Sequence, residues 1–267
     1  MPDSTAISTL LGKFEPIYLH ELDKFELMNR IDTKYLFSAE KVESILGELG
    51  PGFKVLEIDG RRIFPYVTTY LDTPGWSFFN QHIKQRGERN KVRFRKYEQT
   101  GVTFLEVKKR NNKLRTEKWR ITKDLAVSGS LDEESSSFIK KYVEDGEAGL
   151  NPVLVNRFQR ITLAGIETGE RVTIDMDLSF SDLSGNTVSY PGIAILERKR
   201  PGSSSRSPLT MTLKKNAVYP AGFSKYCFGT AMLYDIPGKN ALKPRVLQVN
   251  KIINDSNKIY NAGQFIN

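Results

Sequence analysis

Short runs of alternating apolar and polar residues dominate the chain and predict β-strands. The runs carry many of the aromatic and β-branched residues that favour strands. In Lys91-Val92-Arg93-Phe94-Arg95, for example, basic side chains alternate with apolar ones. The predicted strands cover residues 25–37, 64–72, 90–98, 102–110, 115–122, 152–164, 171–180 and 190–199.

Helical periodicity separates several of these strands. One apolar stripe follows Ser38, a residue type that often caps a helix N-terminus. Its members are Val42, Ile45, Leu46 and Leu49. Further helices are predicted after Pro74, where proline suits the first turn, and over about 132–145 and 223–234.

Eight strands with short connections predict an α+β fold built on one antiparallel sheet. Gly101 and Asn111-Asn112 mark tight turns between neighbouring strands. We expect the sheet to close or nearly close on itself as an eight-stranded antiparallel tunnel, with helices packed outside. Residues 1–236 are predicted to form one domain with its core at about 20–235, followed by a polar, peripheral C-terminal tail at 237–267.

Charged residues fall on one face of most predicted strands, because successive strand side chains point to opposite faces. These same-face groups are Arg30, Asp32 and Lys34; Lys91, Arg93 and Arg95; Glu106 and Lys108; Phe158, Arg160 and Thr162; Arg171, Asp175 and Asp177; and Glu197 and Lys199. One interpretation is that these are solvated faces of amphipathic strands. The other is that the apolar faces pack outwards, so that the charges converge inside the sheet. An anion with several phosphates would then relieve their repulsion.

The net charge favours an anionic partner without naming it. The 267 residues include 40 Lys and Arg against 31 Asp and Glu, a formal charge of +9. This excess fits nucleic acid, polyphosphate and acidic lipid equally well. A membrane helix needs roughly 20 apolar residues, and the apolar runs of this chain are far shorter. Without a recognisable secretory signal, we expect a cytoplasmic protein.

A few further residues bear on the chemistry. The single cysteine, Cys227, excludes an internal disulfide and a cysteine-based zinc site. Cys227 and His82 are isolated, and we expect both to be structural. Trp76 and Trp119 are predicted to pack in the core, with stacking on a nucleotide base as the alternative. Asp175 and Asp177 could bind a metal or pair with arginines. Lys109 and Arg110 are expected to lie at a solvated strand end.

Seven short motifs occur together in an order that matches a known family. They are Arg30-x-Asp32-x-Lys34-Tyr35, Lys91-Val92-Arg93-Phe94-Arg95, Glu106-x-Lys108, Asn156-x-Phe158-x-Arg160, Thr173-Ile174-Asp175, Glu197-x-Lys199 and Phe223-Ser224-Lys225-Tyr226. Each is weak alone. Together, over about residues 20–235, the chain resembles the VTC (vacuolar transporter chaperone) domain of polyphosphate polymerases, within the CYTH-like triphosphate tunnel metalloenzyme superfamily.

The resemblance implies a metal-dependent polyphosphate polymerase that transfers the γ-phosphoryl group of ATP to a polyphosphate chain, using Mn²⁺ or Mg²⁺. The implied catalytic residues, which also grip phosphates, are Lys34, Arg93, Arg95, Lys108, Arg160, Lys199 and Lys225. Ser224 is implied as a further phosphate ligand, with Arg30, Lys91 and Arg171 as additional tunnel charges. Glu197 is the implied main metal ligand, with Glu106 in support. Phosphoryl transfer suits such a set, since it needs alignment and charge cancellation more than a protein nucleophile.

Three departures from the family keep alternatives open. Phe158 stands where many relatives have tyrosine, and Gly222 where polymerases can have lysine. The first strand lacks the Glu-x-Glu-x-Lys of the wider superfamily's hydrolases, which argues against a thiamine-triphosphatase or adenylate-cyclase role. The alternatives are a non-catalytic polyphosphate sensor and a hydrolase of short inorganic polyphosphates.

ATP and polyphosphate or triphosphate are the expected partners. Nucleic acid is not expected, because a closed tunnel would exclude a duplex; a membrane partner and the oligomeric state are left open.

Overall fold

One curled β-sheet carries the fold in the computed structural model, which describes residues 4–22, 30–113, 115–123, 131–143, 149–202 and 207–264. The strands within these ranges are β1 Glu15–Ile17, β2 Arg30–Ser38, β3 Phe53–Leu56, β4 Phe64–Asp72, β5 Arg89–Tyr97, β6 Thr103–Arg110, β7 Thr116–Lys123, β8 Asn151–Gly165, β9 Glu170–Ser181, β10 Thr187–Tyr190 and β11 Ile193–Pro201.

The helices lie between and after these strands. They are α1 Ser4–Gly12, α2 Leu19–Leu22, α3 Lys41–Glu48, α4 Ser77–Ile83, α5 Glu133–Lys140, α6 Pro208–Lys215, α7 Lys225–Leu233 and α8 Lys243–Gln264, with a 3-10 helix at Lys239–Leu242. No helix in the described part of the chain is both long enough and apolar enough to cross a membrane.

Eight strands follow one another across the sheet in the order β2-β11-β9-β8-β4-β5-β6-β7, all antiparallel. Short strands are added at the side: β10 pairs with β9, and β3 pairs with β8 and, in parallel, with β1. Within the described residues, β2 and β7 end this path without pairing with each other. The sheet is therefore an antiparallel half-barrel, which confirms the predicted nearly closed eight-stranded architecture.

All eight predicted strands are present, with ends shifted by a few residues. Residues 25–29 of the first predicted strand lie outside the described residues. The short strands β1, β3 and β10 were not predicted, since runs of three or four residues are too short for alternation to show. Helices α3, α4, α5 and α7 confirm the four predicted helices, while α1, α2, α6 and α8 were missed.

Helices on the outer face of the sheet bury the apolar side of the strands. The predicted stripe of α3 packs here, with Val42, Ile45 and Leu46 at most 1% exposed. They share a cluster with strand residues such as Leu163 and Val172. Under α4 and α5, a second cluster buries Val92, Phe94, Leu105 and Val107 of β5 and β6. Because the apolar residues of these strands point outwards, the charged residues between them point to the inner face.

Helix α7 covers one part of the inner face. A Cβ at Gly229 would lie 2.4 Å from the Phe180 ring and 2.9 Å from Leu154 Cδ2, so only glycine fits there. Leu154 is on the same face of β8 as Arg160, and Phe180 lies opposite Asn156 of that face. The inner face is therefore divided into an apolar part under α7 and a charged part beside its N-terminus.

Asp72, at the end of β4, fixes α7 to α4. Its carboxylate accepts hydrogen bonds from the backbone N–H groups of Phe78 and Phe79, each at 2.9 Å, in the first turn of α4. The Tyr226 hydroxyl of α7 also donates to Asp72. One buried carboxylate thus caps α4 and positions the first turn of α7.

The C-terminal segment is more structured than its composition predicts. Residues 243–264 form α8, and Val249 is fully buried in the cluster that includes Tyr226 and Phe228 of α7. The Ser256 hydroxyl lies 2.8 Å from that of Ser38 at the end of β2. The expectation of a weakly patterned peripheral tail missed this packing, although a signal was present. Val246, Val249, Ile252 and Ile253 are spaced by three or four residues, as in a helical stripe, and all pack in that cluster. The domain boundary at 236/237 stays a prediction.

Candidate functional site

Cross-strand pairing brings the predicted charges of β2, β11 and β9 into adjacent rows. Lys34 of β2 lies opposite Glu197 of β11, which in turn lies opposite Thr173 of β9. In the next row, Asp32, Lys199 and Arg171 lie side by side. Since side chains opposite each other in a sheet share a face, both rows point to the inner side.

Strands β5 and β6 bring a second set of charges to the same face. Lys91 lies opposite Lys108, and Arg93 opposite Glu106. The two sets lie close enough to interact, because the charge of Lys34 on β2 lowers the pKa of both Lys91 and Lys108. Although β2 and β6 are far apart along the sheet order, the curl of the sheet brings their inner faces close together.

The N-terminus of α7 adds Ser224 and Lys225. Ser224 is the N-cap, its hydroxyl accepting from the Cys227 N–H at 3.2 Å and from Lys91 Nζ at 3.2 Å. Lys225 contacts the Asp175 carboxylate of β9. A helix N-terminus favours anions, and here two lysines stand beside it. This is the arrangement expected where a phosphate group binds.

Burial lowers the pKa of several lysines at this site. The pKa of Lys91 is lowered to about 7, and those of Lys108, Lys199 and Lys225 to about 8. Loss of solvation is the main cause, and repulsion between neighbouring cations adds to it. The negative charge of a bound polyanion would favour the protonated lysines and so raise these pKa values.

Glu197 is ionised at neutral pH in this setting. Burial opposes its ionisation, but the charges of Lys34, Lys199, Arg160 and Lys108 outweigh it and hold the pKa of this carboxyl well below its usual range. Its nearest cation is Lys34, whose Nζ is 3.5 Å from Oε1. The side chain is 20% exposed, so its carboxylate is accessible from the inner side.

Asp175 is an ion-pair partner, as one of its two interpretations predicted. Its oxygens accept from Arg160 Nε at 2.5 Å and Nη2 at 2.7 Å. Arg160 and Lys225 hold the pKa of Asp175 at about 2, although burial alone would raise it. Asp177 does not join it: the register with β8 shifts here, Asp177 has φ of +52°, and it is exposed. The strict alternation that placed both aspartates on one face fails at this bulge.

Aromatic rings lie beneath the cations of β8 and α7. The Arg160 guanidinium is 4.9 Å from the Tyr66 ring centre and 5.1 Å from that of Phe158. Lys225 Nζ is 4.1 Å from the Phe158 ring. Phe158 therefore supports two cations through its face, a role that needs no hydroxyl. Tyr66 is an inner-face residue that the sequence reasoning did not select.

Lys118 is the main charged residue that the sequence reasoning missed. It lies opposite Lys108 on β7, and its Nζ is 2.5 Å from Glu106 Oε1. The signal was present, since Lys118 and Arg120 alternate with Trp119 and Ile121 in a predicted strand. Sorting the charges of this strand by face would have found it.

The other selected residues have local partners. Arg30 is exposed and bonds Asp32 at 3.1 Å. Cys227 is buried, and burial lowers the pKa of His82 to about 2, so both are enclosed by the fold. Trp119 stacks on Tyr142 with ring centres 4.2 Å apart, and Trp76 contacts Tyr234. Lys109 pairs with Glu88 at 2.8 Å at the end of β6.

A divalent metal would find two accessible carboxylates here, Glu197 and Asp32. The Asp32 carboxylate is hydrogen-bonded to Arg30 at 3.1 Å, whereas the nearest cation to Glu197 is at 3.5 Å. The described residues contain no group of three or more His, Cys, Asp or Glu side chains that could enclose an ion. Mg²⁺ is commonly held by one or two carboxylates together with water and substrate phosphates. The residues present fit that kind of ion, with Glu197 as its protein ligand, and they do not form an all-protein cage.

Comparison with known proteins places the chain in a family. Among solved structures, a candidate adenylate cyclase from Vibrio parahaemolyticus is similar with a TM-score of 0.45 and 13% identity, over 75% of this chain and 97% of that one. A candidate adenylyl cyclase from Hippeastrum, described as having a dominant triphosphatase activity, gives 0.42 and 12%, over 78% and 98%. These TM-scores carry no functional argument.

The sequence match is more specific. No curated protein matches the chain significantly. The family model described as the VTC domain matches residues 29–234, which includes every strand of the half-barrel except β1 and all the inner-face charges described above. The chain belongs to the VTC domain family.

Proposed function

We propose that this protein is a metal-dependent polyphosphate polymerase that transfers the γ-phosphoryl group of ATP to a polyphosphate chain. The observation that carries the proposal is the convergence of cations from separate elements on one inner face, which also carries the ionised Glu197. These cations are Lys34, Arg93, Arg95, Lys108, Arg160, Lys199 and Lys225, with Lys91 and Ser224 beside them. The family assignment supports the same activity.

Phosphoryl transfer requires the protein mainly to align the reacting groups and to neutralise their charge. In the transition state, negative charge is spread over the phosphoryl oxygens and over the attacking and leaving oxygens. Arginines supply planar pairs of N–H donors that match phosphate oxygens, while lysines supply mobile point charges. A divalent ion on Glu197 would add Lewis-acid neutralisation of phosphate oxygens. The terminal phosphate of the chain is itself the nucleophile.

The test is product formation from ATP with Mn²⁺ or Mg²⁺, with products sized on a gel. We expect long polyphosphate from the wild-type protein and none from Glu197→Ala. Glu133→Ala, an exposed glutamate in α5, is the matched control and should keep full activity. Absence of polymer from the wild-type protein at every metal and primer concentration would refute the polymerase.

A phosphate sensor is the second candidate, favoured by Phe158. This ring lies under Arg160 and Lys225 and offers no hydroxyl to a phosphate. A sensor would bind polyphosphate tightly without metal and without consuming ATP, which calorimetry can establish. Phosphate release from tripolyphosphate in the same samples would instead indicate a short-chain hydrolase.

A further inference from the structure

Two carboxylates are almost completely buried on the inner face, one on each side of the site. Glu106 of β6 is 1% exposed, and the Asp175 side chain is 4% exposed. Isolated buried carboxylates are costly, so each must be paired with cations to remain ionised. What these carboxylates contact therefore decides what they do.

Glu106 has cations on both of its oxygens. Arg93 Nε is 2.7 Å from Oε2 and Arg95 Nε is 3.9 Å from the same atom, while Lys118 Nζ is 2.5 Å from Oε1. Together these charges hold the pKa of Glu106 well below its usual range although burial opposes them. A metal ion at this carboxylate would have to displace a cation and would be repelled by those that remain.

Asp175 repeats this arrangement on the other side. It binds the Nε and Nη2 edge of Arg160 and the ammonium of Lys225. Arg160 is held further by the rings of Tyr66 and Phe158. In both clusters a carboxylate fixes the guanidinium through Nε, which leaves terminal N–H groups for another acceptor.

Glu197 differs from both. It is 20% exposed, and its nearest cation, Lys34, is at 3.5 Å. An accessible carboxylate with one distant partner can take a metal ligand's role, whereas a saturated one cannot.

We infer that Glu106 and Asp175 are positioning residues, which hold Arg93 and Arg160 in fixed orientations for phosphate, and that Glu106 is not a metal ligand. The inference rests on the proposed function, since it concerns how the same site recognises phosphate. Glu197 is then the metal ligand at this site. Glu106, which was predicted to support it, orients an arginine instead.

Metal-free binding separates orientation from net charge. Tripolyphosphate presents phosphate oxygens that match fixed guanidinium groups, while citrate is a polyanion of different geometry. Glu106→Gln keeps the side-chain volume but removes the charge that holds Arg93, so we expect the preference for tripolyphosphate over citrate to fall about tenfold by calorimetry. A change in net charge alone would shift both affinities in the same direction.

Metal titration supplies the second readout. For Glu106→Gln, the Mn²⁺ concentration needed to half-saturate the protein–tripolyphosphate complex should stay within about twofold of wild type. Glu197→Gln is the matched control and should behave in the opposite way, with the metal-free preference kept and the Mn²⁺ requirement raised about tenfold or more. Asp175→Asn should reproduce the Glu106→Gln pattern through Arg160, and it decides the matter if Glu106→Gln does not fold.

Two results would overturn the inference. A raised Mn²⁺ requirement in Glu106→Gln with unchanged anion preference would make Glu106 a metal ligand. Unchanged preference and unchanged metal requirement in folded variants would leave both carboxylates with a purely structural role. The proposed polymerase activity is tested independently of this inference. If the wild-type protein makes no polymer but the variants keep this binding pattern, the proposed activity is refuted and the positioning role is supported.

Discussion

Lys91 shows how burial at the site couples to pH. It lies near His82 of α4, Lys34 of β2, Lys108 of β6, Arg93 of its own strand and Cys227 of α7. Burial and the neighbouring cations lower its pKa from 10.5 to about 7. Between these two values the unfolded chain binds a proton that the folded protein excludes. The contribution of Lys91 to the free energy of unfolding therefore rises with pH across this window and falls as the pH approaches 7.

Replacement of Lys91 by methionine removes this contribution while keeping an unbranched apolar stem. We expect wild-type stability in urea to increase between pH 7 and pH 10, and the increase to be smaller in Lys91→Met by up to about 1.4 kcal/mol per pH unit. Lys214→Met, at an exposed position in α6, is the control and should keep the wild-type slope. Equal slopes in all three proteins would show that Lys91 titrates normally.

The sequence predicted which residues face inwards better than it predicted their partners. Alternation placed Lys34, Arg93 and Glu197 each on the charged face of its strand, but it left open whether those faces point inwards or to solvent. It could not reveal that Glu106 is saturated by cations, since Lys118 reaches it from another strand. Asp177 failed for a local reason, a bulge that alternation cannot show.

At the scale of elements, long amphipathic strands were predictable and short or sparsely apolar elements were not. Seven of these eight long strands bury apolar side chains, and β7 half-buries Trp119 and Ile121, which imposes the period of two on their sequences. Helix α8 buries Val249 fully but Val246, Ile252 and Ile253 only in part, so its apolar stripe is short and stands among polar residues. Helix α7 was predicted, but its packing on the inner face depends on Gly229, whose role only the structure reveals.

Gly229 offers a direct test of how α7 is seated. Gly229→Ala adds a methyl group within 2.4 Å of the Phe180 ring, so we expect it to destabilise the protein by about 1–3 kcal/mol despite the better helix propensity of alanine. Tripolyphosphate affinity should fall as well, because the displaced helix carries Ser224 and Lys225. Thermal unfolding and calorimetry measure the two effects.

Gly47 in α3 is the matched helical control. The nearest atom to its added Cβ would be 3.9 Å away, at Leu10 Cδ2, which is ordinary contact. Gly47→Ala should therefore be neutral or stabilising by up to about 1 kcal/mol. If both alanine variants behaved alike, the close packing of α7 on Phe180 would be disproved.

At the scale of the whole molecule, the sheet brings like charges together that the chain alone keeps far apart. Lys34 and Lys108 are 74 positions apart in sequence, yet the titration of one depends on the other. The curl that joins them was expected from eight strands with short connections. The strand order, with β11 inserted between β2 and β9, could not be read from the sequence pattern.

The repulsion inside the site predicts stabilisation by polyanions. A ligand that binds only the folded protein adds about 2.7 kcal/mol at a concentration of 100 times its Kd. We expect tripolyphosphate to raise the Tm by several degrees, and sodium chloride at equal ionic strength to raise it much less, since it only screens the charges. Equal shifts would indicate non-specific screening and no defined phosphate site.

Because the inner face is divided, the packing of the apolar interior and the geometry of the charged site both depend on the position of α7. The nine residues of α7 fill the apolar interior with one part and reach the charged site with another. Any repacking that shifts α7 within this interior therefore also moves Ser224 and Lys225 at its N-terminus. For protein engineers, substitutions under α7 would alter the proposed phosphate site without replacing a single charged residue.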